Sequence, residues 1–252
     1  MRVRPGVELA SLTDIGCIRE NNEDSSIYWE PDPDDLFPQL GRLAVVADGM
    51  GGYQGGHIAS RMAVEIVSET YAGSTVTDPQ QRLLGALGEA HHRIQERARG
   101  SASLSCMGTT CTALVLVGNR LYFAHVGDSR LFLFRDGGLR LLTSDHTLIA
   151  HLLTIGAIQP DEAERHPHRH VLTAALGVGE AIEPDFPQEP LCVRAGDVLV
   201  LCTDGLWGQV ENAEMKTAIA SGSPASACRA LVELAKERGG PDNITLQVLR
   251  VN

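Results

Sequence analysis

The sequence predicts an α+β fold in which helices cover antiparallel β-sheet. Residues 58–72 and 79–99 carry apolar side chains at helical spacing, which indicates two amphipathic helices. From Thr110 to Thr143 the pattern changes to four strand-like runs separated by turns of two or three residues. Connections this short require antiparallel neighbours, so an all-parallel doubly wound sheet is excluded. Locally paired strands mixed with helices are typical of the α+β class.

Two further strands are predicted before these helices. Apolar and polar residues roughly alternate from Val7 to Ile15, which favours a strand with one buried face. The run RLAVVA at 42–47 is apolar enough for a strand buried on both faces. The acidic, proline-rich segment between them, EPDPDDLFPQLG at 30–41, is predicted to be a surface loop.

The second half of the chain continues the mixture of helices and strands. A short helix is expected to stop at Gly156, followed by a polar segment rich in His and Pro. The run DVLVLCTD at 197–204 is strand-like. Ser223 and Pro224 have the residue types of an N-cap and a first helical residue. The run ITLQVLRV at 244–251 predicts the last strand.

Length and composition limit the class of protein. A chain of 252 residues with 43% hydrophobic and 21% charged residues is expected to form one globular domain over residues 1–252. The formal net charge of −11 has the wrong sign for binding nucleic acid or anionic lipid. We therefore expect no nucleic-acid partner.

Cellular location and redox chemistry are also constrained. No apolar run approaches the roughly 18 residues of a membrane span, and the basic start lacks the apolar core of a signal peptide. We expect a cytoplasmic protein with no membrane segment. The six cysteines form no CxxC pair and mostly have apolar neighbours, which predicts buried thiols rather than disulfides or a zinc site.

Acidic residues stand at the ends of three predicted strands. Asp48 follows the run AVVA, Asp204 follows LVLCT, and Asp242 comes just before the last strand. Aspartate is unfavourable inside strands, so its recurrence at their ends indicates carboxylates that meet at one rim of a sheet. The alternative is ordinary Asp-Gly turn chemistry, which Asp136-Gly137 illustrates.

Carboxylates held close together stay ionised only where a cation neutralises them. Oxygen ligands suit hard divalent ions such as Mg²⁺ or Mn²⁺ rather than zinc. The glycines that follow Asp48, in ADGMGGYQGG, let backbone carbonyls approach such an ion and leave room for its water ligands. The residues alone thus predict a divalent metal site, without specifying the reaction.

Eight motifs occur in the order found in metal-dependent serine/threonine protein phosphatases of the type 2C class: TDIGCIRENNED (13–24), ADGMGGYQGG (47–56), MGTT (107–110), HVGDSR (125–130), SDHT (144–147), HPHRHVLTAALG (166–177), CTDGLW (202–207) and GPDNIT (240–245). The chain resembles the bacterial branch of this family from about Leu12 to Val248. The resemblance implies a sandwich of two antiparallel β-sheets flanked by helices (α-β-β-α). It also implies a dinuclear Mn²⁺/Mg²⁺ centre at one end of the sandwich.

The resemblance assigns metal ligands by position. Asp48 matches the bridging carboxylate, and Gly49 matches the residue that supplies a backbone carbonyl. Asp204 and Asp242 match the other direct ligands of the two tightly bound ions. Asp128 matches the residue that, together with Asp204, holds a third and weaker ion in bacterial members.

Three more positions match residues around the ions. Glu23 and Asp24 match acidic residues that steady metal-bound waters. Arg19 matches the arginine that grips the substrate phosphate. A surface arginine or a turn aspartate needs no site, so plain structural roles stay as alternatives for Arg19 and Asp128.

The implied activity is hydrolysis of phosphoserine and phosphothreonine in proteins. A phosphate monoester carries about two negative charges, so the site must attract a dianion. Two divalent ions and Arg19 outweigh the three ligand aspartates, which makes the site cationic although the protein is acidic. Metal ions activate a water as the nucleophile, and paired ions stabilise the attacking and leaving oxygens. In-line attack then needs no phosphoenzyme, and the sequence has no Cys-x5-Arg loop.

The proton donor for the leaving group departs from the family pattern. Many members have histidine directly after the Asp-Gly or after the following Gly-Gly, where this chain has Met50 and Tyr53. We hypothesise that His57, just before the predicted helix, is the general acid, acting directly or through water. Tyr53 and a metal-bound water are the alternatives.

Other functions stay open on the sequence alone. A catalytically silent relative could act as a regulatory binding module, although the three metal aspartates and Arg19 argue against it. Hydrolysis of a small phosphomonoester fits the same motifs. His166, His168 and His170 suggest a separate metal site, but we assign them to a flap segment at about 147–170 near the substrate.

The expected partners are phosphorylated proteins that a serine/threonine kinase modifies. We also expect the chain to be a monomer.

Overall fold

The structure is a computed structural model that describes residues 3–51, 55–163, 166–168 and 170–252. Within these residues the strands pair antiparallel in two sheets. The strands are β1 (Val7–Asp14), β2 (Asp24–Trp29), β3 (Arg42–Met50), β4 (Gly108–Thr109), β5 (Cys111–Val117), β6 (Arg120–Val126), β7 (Arg130–Arg135), β8 (Gly138–Leu141), β9 (Leu191–Cys192), β10 (Val198–Cys202) and β11 (Ile244–Val251).

One sheet has the strand order β1-β11-β10-β7-β8, and the other has the order β2-β3-β5-β6-β9 with β4 paired to β3. The helices of the described residues are α1 (Phe37–Leu40), α2 (Gly55–Gly73), α3 (Pro79–Arg99), α4 (Leu148–Thr154), α5 (Pro160–Ala163), α6 (Asp204–Trp207), α7 (Asn212–Ala220) and α8 (Pro224–Glu237).

The described residues form four layers of helices and sheets, and an apolar core lies between each pair of neighbouring layers. Leu114 of one sheet and Leu201 of the other belong to the core between the sheets. The β2-β3-β5-β6-β9 sheet packs its outer face on α2 and α3 through residues such as Leu87. The other sheet packs on α7 and α8 through residues such as Val200 and Leu231. This arrangement confirms the predicted α-β-β-α sandwich.

The helix boundaries follow local capping chemistry. The Asp78 carboxylate accepts a hydrogen bond from the Gln81 amide at the start of α3, and Ser223 does the same for Ser226 at the start of α8. Gly156, at φ +69°, follows the end of α4 as expected. No helix in the described parts of the chain has the length and apolar character needed to span a lipid bilayer.

The prediction that β6 and β7 are antiparallel neighbours is wrong. β5 and β6 pair in one sheet, and β7 pairs with β8 and β10 in the other, so residues 127–129 carry the chain across the sandwich. Gly127, at φ +110°, allows the change of direction. The crossing buries Phe123 and Leu131 in the same inter-sheet core. Turn length does not distinguish a hairpin from such a crossing.

Several shorter features differ from expectation. β2 was not predicted, and it forms an edge strand beside β3. Residues 37–40, inside the predicted loop, form the single turn α1. The six cysteines are free in the structure, and Cys17, Cys106 and Cys192 are exposed, so the expectation that most thiols are buried is wrong. These three lie outside the regular strands and helices or on the two-residue strand β9, where apolar neighbours do not enclose them.

Candidate metal centre and active site

Strand register brings acidic residues to one end of the sandwich. Asp24 lies directly opposite Asp48 in the β2–β3 ladder. Asp14 lies opposite Ile244 in the β1–β11 ladder, so the loop that follows β1 runs beside Asp242. The predicted meeting of strand-end carboxylates therefore has a simple cause in the pairing of these strands.

The register of β7 and β10 adds a second pair of aspartates. Arg130 lies opposite Cys202, which brings the turn before β7 next to the turn after β10. Asp128 is in the first turn and Asp204 in the second, and burial followed by the charge of Asp204 raises the pKa of Asp128.

Burial and mutual repulsion oppose ionisation of these carboxyl groups. Desolvation, followed by neighbouring acidic groups, raises the pKa of Asp24 and that of Asp128 to about 7. The same causes raise the pKa of Asp48 well above its usual range and also raise that of Asp204. A bound cation would reverse the effect, because it favours the charged forms.

Two carboxylate oxygens of this cluster find no partner within the part of the chain that the structure describes. In the described residues, Asp24 Oδ1 and Asp204 Oδ1 are buried without a hydrogen bond. The other oxygen of Asp24 accepts a hydrogen bond of 2.9 Å from Thr203 Oγ1. Buried polar atoms without partners are costly, and oxygen donors suit Mg²⁺ or Mn²⁺. The donor set therefore fits hard divalent ions.

The backbone at Gly49 has no room for a side chain. A Cβ there would lie 2.1 Å from the carbonyl oxygen of Gly56 and 2.6 Å from that of Glu23. The Gly49 amide donates to the Glu23 carbonyl at 3.2 Å. Close packing of three backbone segments explains why glycines follow Asp48.

Hydrogen bonds to its amide and to its carbonyl fix the backbone at Asp48. The Asp48 amide donates to Thr110 Oγ1 at 2.9 Å, and the Asp48 carbonyl accepts from the Thr110 amide at 2.9 Å and from Thr109 Oγ1 at 2.8 Å. Thr110 Oγ1 in turn is 2.7 Å from the hydroxyl of Ser129 in the turn that carries Asp128. The MGTT motif thus anchors Asp48 and contacts the turn of Asp128.

Arg19 faces Asp242. One terminal nitrogen of Arg19 donates to Asp242 Oδ2 at 2.7 Å, and the Arg19 side chain is 50% exposed. The carboxyl groups of Asp204 and Asp48 lie close enough to interact directly. With these pairings, no group of three or more His, Cys, Asp or Glu side chains among the described residues is arranged to hold an ion as it stands.

Asn243 ties the Arg19 loop to the last strand. Its side-chain oxygen accepts from the Glu23 amide at 2.8 Å, and its side-chain nitrogen donates to the carbonyls of Ile15 and Asn21, each at 2.9 Å. These bonds fix the position of the loop that carries Arg19 and Glu23.

A buried histidine supports the turn that carries Asp128. His125 is fully buried; its Nε2 is 2.9 Å from the Gly127 carbonyl, and its Nδ1 is 2.8 Å from Thr112 Oγ1. Burial and the neighbouring His146 lower the pKa of His125 to about 3. The ring is therefore neutral, and because a carbonyl only accepts, Nε2 carries the proton.

Two histidines lie near the carboxylates. His57 is exposed in the first turn of α2. Burial raises the pKa of Glu23, and His57 is close enough to oppose a small part of that rise. His170 Nδ1 is 4.0 Å from Asp204 Oδ2, which brings the predicted flap segment to the site. Tyr53, the alternative proton donor, lies outside the described residues.

The family model described as protein phosphatase 2C matches residues 21–237 of the chain. The chain belongs to this family. Protein phosphatase PhpP of Streptococcus pneumoniae is 34% identical over 251 residues, which cover 98% of each protein. These matches confirm the predicted family.

Solved phosphatase structures share the fold. The serine/threonine phosphatase of S. agalactiae superposes with a TM-score of 0.89 at 34% identity, covering 98% of this chain and 100% of that one. The catalytic domain of the serine/threonine protein phosphatase PstP, in complex with two manganese ions, gives a TM-score of 0.83 at 34% identity and 98% coverage of both chains. The predicted fold class and the enzyme class, a serine/threonine protein phosphatase, are confirmed.

The structure also contains site residues that the sequence did not predict as such. Thr203, Trp207 and Asn243 all contact the predicted carboxylates or the loops that carry them. Each lies within three residues of a predicted ligand, inside CTDGLW or GPDNIT. Their position next to a predicted ligand, inside a motif, is the sequence signal that could have identified them.

Proposed function

We propose that this protein phosphatase 2C chain hydrolyses phosphoserine and phosphothreonine in proteins with two Mn²⁺ or Mg²⁺ ions. The ions would be held by Asp48, the Gly49 carbonyl, Asp204 and Asp242. The observation that carries the proposal is a group of buried, mutually repelling carboxyl groups with raised pKa values, in which Asp204 Oδ1 has no hydrogen-bond partner among the described residues. The PstP complex with two manganese ions supports it.

Asp128 and Asp24 extend the proposed centre. Asp128 is 6% exposed and interacts electrostatically with Asp204, which suits a third, weaker ion between the two carboxylates. Asp24, opposite Asp48 on the neighbouring strand, is suited to accept hydrogen bonds from water ligands, as is Glu23 at the rim.

Arg19 has the charge and exposure to bind the substrate phosphate. It pairs with Asp242, and half of its side-chain surface is exposed to solvent, where a phosphate can reach it. Once a cation neutralises Asp242, Arg19 loses that partner and offers its planar donors to a phosphate oxygen pair. Ion binding and phosphate binding are thereby coupled through one carboxylate.

The bound ions would supply positive charge for the dianionic substrate and activate a water for attack on phosphorus. The chain's own residues do the rest. Thr110 and Asn243 keep Asp48 and the Arg19 loop in place, Arg19 orients the phosphate, and His57 is the proposed donor of the proton to the leaving oxygen.

We further propose a cytoplasmic monomer that opposes a serine/threonine kinase. The proposed phosphoprotein substrates support the opposing kinase, because a kinase must supply the phosphate that this chain removes.

Phosphate release from phosphothreonine peptides tests the proposal. Activity should require Mn²⁺ or Mg²⁺ and disappear with chelator, and Mn²⁺ should raise the thermal unfolding temperature, because ions bind the folded cluster. Asp48→Asn, Asp204→Asn and Asp242→Asn should each lose activity and most of the Mn²⁺ stabilisation.

Asp35→Asn is the matched control, because Asp35 is exposed in the loop before α1. Chelator-resistant turnover would contradict the proposed chemistry, and a full Mn²⁺ shift in Asp48→Asn would remove that residue from the centre. Turnover of small phosphomonoesters without turnover of phosphopeptides would contradict the proposed substrate class.

A further inference from the structure

Trp207 connects the turns of two acidic residues. Its indole Nε1–H donates to the backbone carbonyl of Asp128 at 2.9 Å. Trp207 is the last residue of the four-residue helix α6, and Asp204 is the first. One short helix therefore carries both the Asp204 carboxylate and the group that holds the Asp128 backbone.

Arg130 holds the indole in place. The Arg130 guanidinium carbon lies 3.5 Å from the centre of the Trp207 ring, a close cation–π contact. The same guanidinium binds both oxygens of Asp145, at 3.0 and 2.7 Å. A bidentate ion pair fixes the guanidinium plane, which in turn leaves the stacked indole little freedom.

The hydrogen bond from Trp207 holds the backbone at Asp128 and involves neither the Asp128 nor the Asp204 carboxylate. Asp128 and Asp204 are partly desolvated carboxylates that repel each other. Without a tie between their turns, this repulsion would favour a wider separation. Because Trp207 bonds the Asp128 carbonyl rather than its side chain, both carboxylates stay available to a cation.

We propose that Trp207 is a positioning residue that sets the separation of Asp128 and Asp204, and with it the affinity for the third divalent ion. The inference rests on the proposed function, since it takes the third ion to bind between these two carboxylates. Arg130 and Asp145 support the indole. The two tightly bound ions, which also use Asp48 and Asp242, should depend on Trp207 far less.

Trp207→Phe tests the inference, because phenylalanine keeps an aromatic ring for Arg130 to stack on but removes the N–H donor together with part of the indole's bulk. Free Mn²⁺ is measured by electron paramagnetic resonance during a titration, which counts bound ions without activity. Loss of one hydrogen bond should weaken the third ion about fivefold to tenfold and leave two tight ions per chain.

Trp29→Phe is the control variant. It changes the other tryptophan of the chain, Trp29 of β2, whose ring makes an edge contact with Tyr71 of α2. This contact is away from Asp128 and Asp204. The control variant should bind three ions as the wild type does. Arg130→Lys keeps the charge but loses the bidentate pair and the flat stack, so it should weaken the third ion in the same direction.

Asp128→Ala separates the inference from the proposed function. Adding Trp207→Phe to Asp128→Ala should change Mn²⁺ binding no further, because the two substitutions act on one site. If Asp128→Ala retains the weak ion, the proposed third site is wrong. If Asp128→Ala loses it while Trp207→Phe and Arg130→Lys bind it as the wild type does, the positioning role is wrong. Loss of all three ions in folded Trp207→Phe would also contradict a role confined to the third site.

Discussion

Replacing Asp128 by asparagine should stabilise the ion-free protein. Asp128 is 6% exposed, and burial followed by the charge of Asp204 raises its pKa from 3.8 to about 7. A shift of this size corresponds to an upper limit of about 4 kcal/mol in unfolding free energy at pH 8. Because Asp204 shares the repulsion and can relax, we expect about 2 kcal/mol for the variant.

The pH dependence of this effect has a definite sign. The pKa of Asp128 is higher in the folded protein, so the wild type loses stability as pH rises from about 4 to about 7. An asparagine side chain does not titrate, so the advantage of the Asp128→Asn variant should be small near pH 4 and constant above pH 7. The same variant should lose the third ion and turn over substrate more slowly with Mn²⁺.

Urea unfolding in the presence of chelator, followed by circular dichroism at several pH values, measures the difference. Asp35→Asn, which changes an exposed aspartate, should show no such pH-dependent gain. An Asp128→Asn protein that is less stable than the wild type at pH 8, or a gain that does not vary with pH, would refute the argument that repulsion strains this cluster.

Three other outcomes follow from the described contacts. His57→Ala should slow release from phosphoserine peptides about 10²–10⁴-fold and barely affect p-nitrophenyl phosphate, whose leaving group needs no proton; equal effects on both substrates would exclude His57 as the general acid. Glu30→Gln breaks a buried pairing with two arginines and should lower the free energy of unfolding in urea by about 3–5 kcal/mol. The control Glu65→Gln, in an exposed pair, should lower it by less than about 1 kcal/mol. Similar losses in the two variants would show that the buried network is unimportant. His125 has a folded pKa of about 3, so its contribution to stability should fall as pH drops below about 6.5, by about 2 kcal/mol at pH 5; a folded His125→Asn protein with the wild-type acid sensitivity would contradict this.

The sequence predicted the layers of the fold because each long element has a clear periodicity. The apolar stripes of α2 and α3 and the doubly buried run of β3 were evident. Pairing across the sandwich was not, because the turn at 127–129 has the length of a hairpin turn yet joins different sheets. Which sheet a strand joins depends on contacts with the distant strand β10, and no local pattern records them.

The site shows the same difference between local sequence patterns and contacts between distant residues. Asp48, Asp204 and Asp242 were predicted as metal ligands because acidic residues recur at strand ends and because the motifs around them resemble those of the type 2C family. The bonds of Trp207 to Asp128 and of Asn243 to Glu23 join residues 79 and 220 positions apart. Such bonds appear only once the chain is folded, so the residues that position the carboxylates were missed, while the ligand roles of the carboxylates stay predictions.

The most direct test of the proposed centre is anomalous X-ray scattering from crystals of the protein grown with Mn²⁺, recorded at the manganese absorption edge. We predict two strong peaks that share Asp48 as a ligand and also contact Asp204 and Asp242, with a weaker third peak between Asp128 and Asp204. Manganese bound elsewhere on the chain, with these carboxylates still paired to Arg19 and to one another, would contradict the account.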